Sequence, residues 1–238
     1  MIPLEYEIER IRDIFFEMVE LVRDQMTLTK EALLTGDLEA AGEVMRKEGR
    51  VNSYELTIDR ECEDFLALQA PVAVDLRLAI AILKMSGNLE RIGDHAFHIS
   101  RFIYDDKLTL SKELIKLVHL PELFDEVDVM LSNIISSLEE GDVKKAKTVF
   151  KQDKFIDKIN KKVPELLQEH MKDTKDKDSV ANLIRISQTI GKIERTGDLI
   201  KNMAEEIIFY IESKVVKHRK RNKKIQEMFS RKGNKRKG

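Results

Sequence analysis

Leu89-Glu-Arg-Ile-Gly-Asp94 is a hexapeptide that occurs a second time in this chain, 104 residues later, as Ile193-Glu-Arg-Thr-Gly-Asp198. Both copies keep Glu, Arg, Gly and Asp in the same order. Both lie in stretches whose apolar residues recur every three or four positions, which is the spacing of one helix face. The repeat therefore predicts two equivalent helical units, each with two acids four residues apart.

The duplication extends beyond the hexapeptide. Residues 33–41 match residues 138–146 at an offset of 105, and six of the ten glycines fall in matched pairs. We predict an all-α fold of two similar three-helix bundles with six long helices, related by approximate internal symmetry. The predicted domains are a first repeat over 1–110, a second repeat over 111–216 and a basic C-terminal tail over 217–238.

Periodicity and chain breaks predict where the six helices lie. The expected breaks are Gly36-Asp37, Pro71, the stretch before Pro121, Gly141-Asp142 and the polar run 173–179. The predicted helices are 4–34, 38–69, 72–104, 121–140, 143–173 and 178–217.

Composition narrows the class of protein. The single cysteine, Cys62, rules out an internal disulfide and a multi-cysteine zinc site. No apolar run approaches the ~20 residues of a membrane-spanning helix, and the acidic N-terminus is unlike a signal peptide. We therefore expect a cytoplasmic protein.

Charge is distributed unevenly along the chain. The first 216 residues hold 31 basic and 42 acidic residues, a net charge of −11, whereas 217–238 hold 11 basic residues and one acid. We expect the tail to be a solvated end, and an electrostatic contact with lipid, nucleic acid or an acidic partner stays open. Its one aromatic residue, Phe229, disfavours a stacking surface for single strands.

The repeated acids are candidate metal ligands. Residues four apart project from one helix face, and apolar neighbours shield each pair. A glycine inside each motif costs ~0.8–1.0 kcal/mol of helix stability relative to alanine, which indicates close approach by a neighbouring helix or by the cluster itself. Carboxylates and an amide suit magnesium, manganese, calcium or iron. The predicted ligands are Glu48, Asn52, Glu90, Asp94, Asp153, Asp157, Glu194 and Asp198, with His98 and Asn202 as additional candidates.

A purely structural role for the motif stays open at this point. In that alternative, Glu90 and Glu194 pair with arginines across the bundle, and the aspartates bond to backbone or solvent. We expect the motif arginines to be ion-pair partners in either case.

The sequence resembles the PhoU family of bacterial phosphate-signalling regulators over about residues 4–217. The resemblance rests on Leu68-Gln-Ala-Pro-Val-Ala-Val-Asp-Leu-Arg77, on the hexapeptide that follows it, and on Asn202-Met-Ala-Glu-Glu-Ile-Ile-Phe-Tyr210. It implies multinuclear metal clusters, with iron preferred and Mg, Mn, Zn and Ca as alternatives. Asn52 stands where an aspartate would complete the first site, so we expect the tighter site around Glu194 and Asp198.

The same resemblance implies a regulatory adaptor without enzymatic activity. Such an adaptor negatively regulates the phosphate-starvation response by coupling an ABC-type phosphate importer, through its ATPase subunit, to a phosphate-responsive sensor histidine kinase. Membrane association would be peripheral, through these partners. A homodimer stays open, and no sequence-specific nucleic acid is expected.

Other functions remain as alternatives. The chain would then serve a low-affinity phosphate permease as an accessory protein, or be a carboxylate-bridged metal-binding bundle with another role. Ferritin-like oxidase chemistry is disfavoured, because none of the five histidines lies three residues after a glutamate. A binder of nucleic acid or membrane surfaces through the basic tail is the remaining class.

Overall fold

The computed structural model describes residues 4–171 and 177–213, and of residues 177–179 the backbone only. These residues form seven α-helices and no strand. The helices are α1 (Leu4–Thr35), α2 (Leu38–Gln69), α3 (Ala73–Tyr104), α4 (Lys112–Leu117), α5 (Leu120–Glu140), α6 (Val143–Met171) and α7 (Lys177–Glu212). The predicted all-α class with six long helices is confirmed.

The short helix α4 was not predicted from the sequence. It begins after Ser111, whose Oγ accepts a hydrogen bond from the Leu114 amide at 3.1 Å. Six residues contain too few turns for a periodic apolar pattern to show.

The last helix ends earlier than the sequence predicts. Helix α7 ends at Glu212, and Ser213 has a left-handed backbone conformation. The predicted extension towards residue 217 is therefore wrong at Ser213. The basic tail lies outside the described residues.

The two Gly-Asp turns are confirmed as equivalent. Gly36 and Gly141 have φ angles of 76° and 67°, a region that favours glycine. The next residue then caps the following helix: Asp37 accepts hydrogen bonds from two amides of α2, and Asp142 accepts one from Lys144 at 2.8 Å. The same chemistry therefore opens the second helix of each bundle.

The bundles pack through equivalent helices. Helices α1, α2 and α3 form the first bundle and α5, α6 and α7 form the second, while α1 packs on α5 and α3 on α7. One continuous apolar core spans both bundles. Because equivalent helices meet in pairs, the arrangement brings the two hexapeptides towards each other. No described helix is long and apolar enough to cross a bilayer.

Candidate metal centres

The first unit brings three acids together across two helices. Glu90 and Asp94 lie on α3, and Glu48 reaches them from α2. Burial, followed by the charge of Asp94, raises the pKa of Glu48 to about 7. Burial and Asp94 also raise the pKa of Glu90. One carboxylate oxygen of Glu48 is buried without a hydrogen-bond partner in the described structure. Among the described residues, none of Glu48, Glu90 and Asp94 forms an ion pair within 4.0 Å.

The hexapeptide glycine makes room for the facing acid. A Cβ atom built on Gly93 would lie 3.1 Å from Gln25 Oε1 and 3.4 Å from Glu48 Oε2. A Cβ atom on Gly197 would lie 3.3 Å from Asp153 Oδ1. Alanine would press on these atoms in both units. The expectation that the glycine admits a neighbouring helix is confirmed.

In the second unit a lysine lies among the acids. Asp153 is 5% exposed, and its Oδ2 accepts a hydrogen bond from Lys201 Nζ at 2.7 Å. Lys201 also pairs with Asp198. Burial raises the pKa of Asp153 even though Lys201 opposes the shift. Burial alone would lower the pKa of Lys201, but the two carboxylates outweigh it and raise that pKa. The acids here are partly neutralised from within the chain.

The remaining predicted ligands differ in their surroundings. Asp157 lies close enough to Glu194 to help raise its pKa, after burial and Asp198. The side chain of Asn52 is exposed and makes no hydrogen bond to a described residue. His98 lines a cleft with Asp94, and burial, then Lys192, lowers its pKa. Asn202 lines a different cleft, together with Glu90 of the first unit.

Sequence reasoning missed Glu55 in the first site. Its charge contributes to the raised pKa of Glu90, and it lines the same cleft as Glu90. Burial and Asp59 raise the pKa of Glu55 itself. The sequence spacing could have indicated Glu55, because Glu48 and Glu55 are seven residues apart and therefore share one face of α2.

The expected role of the motif arginines is wrong. Neither Arg91 nor Arg195 forms an ion pair within 4.0 Å with an acid of the described part of the chain. Glu90 and Glu194 likewise form none with an arginine there. The ion pairs of the described residues involve other arginines. One example is Arg23, which lies 2.9 Å from Asp128. The alternative in which the repeated glutamates pair across the bundle is therefore also wrong.

A hydrogen bond joins the two hexapeptide regions. His95 Nδ1 lies 2.9 Å from Thr196 Oγ1, and that hydroxyl donates to the Lys192 carbonyl at 3.0 Å. The threonine oxygen therefore accepts the Nδ1–H of His95. Next to this bond, a cleft of about 450 Å³ is lined by both motif arginines and both motif aspartates. The duplicated motifs thus lie side by side.

The chemical type of the donor atoms suits a hard cation, but their positions in this structure do not form a coordination site. Oxygen ligands predominate, and an unpartnered buried carboxylate oxygen is a group that a cation would satisfy. Across residues 4–171 and 177–213, however, no three His, Cys, Asp or Glu side chains converge as closely as a metal ion requires. Binding would need side-chain rotations, and in the second unit displacement of Lys201.

The family model of the PhoU domain matches this chain twice, over residues 15–103 and 120–207. The chain belongs to the PhoU family. Each matched segment contains one hexapeptide, so the motif is part of the repeating unit. The spacing of the two matches agrees with the offset found in the sequence.

Relatives and solved structures of the PhoU family extend over most of the chain. The phosphate-specific transport system accessory protein PhoU of Serratia marcescens is 32% identical over 212 residues, 89% of this chain and 86% of that protein. The Escherichia coli K12 protein of the same name is 28% identical over equal shares. The crystal structure of PhoU from Pseudomonas aeruginosa has a TM-score of 0.81 at 27% identity and covers 89% of this chain and 100% of that one.

Proposed function

We propose that this chain is an accessory protein of a phosphate-specific transport system and acts there as a regulatory adaptor. The observation that carries the proposal is membership of the PhoU family through both repeats, with relatives of that name aligned over 89% of the chain. Catalysis is not part of the proposal.

The adaptor would connect an ABC-type phosphate importer, through its ATPase subunit, with a phosphate-responsive sensor histidine kinase. Its effect would be negative regulation of the phosphate-starvation response in the cytoplasm. Association with the membrane would be peripheral and would depend on these two partners.

The turn between α2 and α3 suits contact with a protein partner. Leu68, Val72 and Val74 are 78%, 73% and 49% exposed, although all three are large apolar residues. Three such side chains within seven residues form the kind of surface that proteins bury on association. We place the ATPase subunit of the importer on this turn.

Deletion of the gene tests the regulatory role. Alkaline phosphatase activity, measured in high phosphate, is expected to rise in the deletion strain and to return to the repressed level with the wild-type gene. Unchanged repression after deletion would contradict the proposal.

A double variant tests the binding surface. Leu68→Ser/Val72→Ser is expected to lose retention by the purified ATPase subunit and to fail in complementation. Leu56→Ser is the matched control, because Leu56 is 66% exposed on α2 and lies outside the turn. Equal retention of both variants would place the partner elsewhere.

We also propose that the repeated acids bind metal ions, as multinuclear clusters with iron preferred and Mg, Mn, Zn or Ca as alternatives. In the first unit Glu48, Glu90 and Asp94 would hold the ions, with Glu55 beside them. A bound cation there would supply a positive partner for these partly buried carboxylates, which form no ion pair among the described residues. The first site is expected to fill more readily than the second, opposite to the order expected from the sequence, because Lys201 competes for Asp153 and Asp198.

Elemental analysis tests the metal sites in protein purified without chelator or affinity tag. Glu90→Ala/Asp94→Ala and Glu194→Ala/Asp198→Ala are each expected to lose metal. Glu165→Ala/Glu169→Ala is the control, because these acids have the same spacing on the exposed face of α6. Retention of metal by both motif variants would refute the sites and leave the adaptor role intact.

A further inference from the structure

The cleft between α3 and α7 gathers positive charge from both units. It has a volume of about 450 Å³ and is lined by Arg91 from α3 and by Lys192 and Arg195 from α7. That volume lies in the range of small-ligand sites. The cleft shares Asp94 and Asp198 with the candidate metal centres, whereas its three cations are not among the proposed metal ligands.

These three cations differ from other cations on the same helices. Arg101 of α3 and Arg185 of α7 each bond to an aspartate at 2.9 Å. Arg91, Lys192 and Arg195 form no ion pair within 4.0 Å in the residues that the structure describes. Acids act on them only from further away, as Glu90 does on Arg91. Their donor groups are therefore available to a ligand.

The three cations converge on one cleft from two helices, because Arg91 of α3 lines it together with Lys192 and Arg195 of α7. A bound anion would place opposite charge among these like charges.

Two carboxylates narrow the choice of anion. Asp94 and Asp198 line the same cleft, and an ionised carboxylate can only accept hydrogen bonds. An anion without a proton would face these oxygens with no donor. Inorganic phosphate keeps one proton throughout the neutral range and has a hydroxyl to donate. Sulfate has none, and phosphate monoesters lose theirs with a pKa of about 6.

We propose that this cleft binds inorganic phosphate, with Arg91, Lys192 and Arg195 donating to its charged oxygens and Asp94 or Asp198 accepting from its hydroxyl. Guanidinium groups match two phosphate oxygens at once, and an ammonium acts as a point charge. The inference goes beyond the adaptor role and does not depend on bound metal.

Isothermal titration of the full chain tests this site. The protein is freed of metal by a chelator, dialysed, and titrated with inorganic phosphate at pH 8 and constant ionic strength. Saturable binding is expected with a Kd of about 1 mM or tighter. Sulfate and methyl phosphate are expected to bind about tenfold more weakly or worse, since neither has a hydroxyl to donate at pH 8. Absence of saturable binding, or equal affinity for sulfate, would overturn the assignment.

Charge-removing variants locate the site. Lys192→Gln/Arg195→Gln is expected to weaken phosphate binding about tenfold or more, and Arg91→Gln provides an independent test from the other helix. Arg185→Gln on α7 is the matched control and should bind as the wild type does. Circular dichroism and thermal melting verify folding of each variant. If the folded Lys192→Gln/Arg195→Gln and Arg91→Gln variants both bind phosphate as tightly as the wild type does, the phosphate binds elsewhere.

Discussion

Lys201 occupies in the second unit the position that Phe97 occupies in the first, 104 residues earlier. The ammonium lies 2.7 Å from Asp153, whereas the aromatic ring of Phe97 packs edge-on against His98. In the second unit Lys201 therefore pairs with Asp153 and Asp198, whereas no residue of the described chain forms an ion pair with the candidate metal-binding acids of the first unit.

Removal of the ammonium should destabilise the second unit. In Lys201→Met the nearly buried Asp153 loses its ion-pair partner, so the free energy of unfolding should fall by about 2 kcal/mol. This is less than the cost of breaking a fully buried pair, because Lys201 is partly exposed. Urea unfolding measures it. Lys147→Met, which breaks an exposed pair with Glu212, should cost less than about 1 kcal/mol. Equal effects would mean that the Asp153 pair is no stronger than a surface contact.

An exchange of the two residues should reverse the order of metal binding. Phe97→Lys places a competing cation beside the first acids, so metal affinity there should fall. Lys201→Phe frees Asp153 and Asp198, so affinity in the second unit should rise. Titration of metal-free protein with Mn²⁺ measures both changes. If neither variant changes affinity, the charge at this position does not control metal binding.

Alanine should have opposite effects at different helix glycines. Gly93→Ala and Gly197→Ala gain helix propensity but press a Cβ on packed neighbours, so each should lose about 1 kcal/mol of stability net. Gly49→Ala is the control. Nothing lies within 4 Å of its Cβ position in α2, so it should gain about 0.8–1.0 kcal/mol. Stabilisation by all three substitutions would mean that the close approach is easily relieved.

Stability should decline as pH rises through the titration of Glu48. Its pKa is raised from 4.5 to about 7, so its contribution to stability is complete below pH 4.5 and is lost as pH approaches and passes 7. In metal-free buffer Glu48→Gln should therefore raise the free energy of unfolding by about 1–2 kcal/mol at pH 8 and change it little at pH 4.5.

A second acid provides a control of opposite sign. Hydrogen bonds from Arg46 and then Lys47 lower the pKa of Glu43, so Glu43→Gln should not stabilise the chain at pH 8. If both glutamine variants gave the same pH profile, burial of Glu48 would not be the cause.

The sequence predicted features that depend on one helix or one turn. Helical periodicity placed Glu90 and Asp94 on one face, and glycine followed by aspartate marked the turns at Gly36 and Gly141. Both patterns express local geometry. The ion pair of Lys201 was missed because a flexible side chain three residues after Asp198 has several partners within reach, and only the packing of α6 decides among them.

The failed prediction for the motif arginines has the same origin. An arginine beside a glutamate in a repeated motif indicates an ion pair when only sequence is considered. In the folded chain Arg91 and Arg195 lie instead at the junction of α3 and α7, where the two units meet. Which residues meet across that junction depends on how the bundles dock, and a one-dimensional pattern contains no such information.

Because the two bundles belong to one chain, matched positions can carry different residues, which is impossible in a symmetric dimer of a single bundle. In a dimer of identical subunits every substitution appears on both sides of the two-fold axis. Here one half carries Phe97 and the other Lys201 at matched positions. Within one chain the two halves are free to differ, so a substitution can change one half and leave the other as it was.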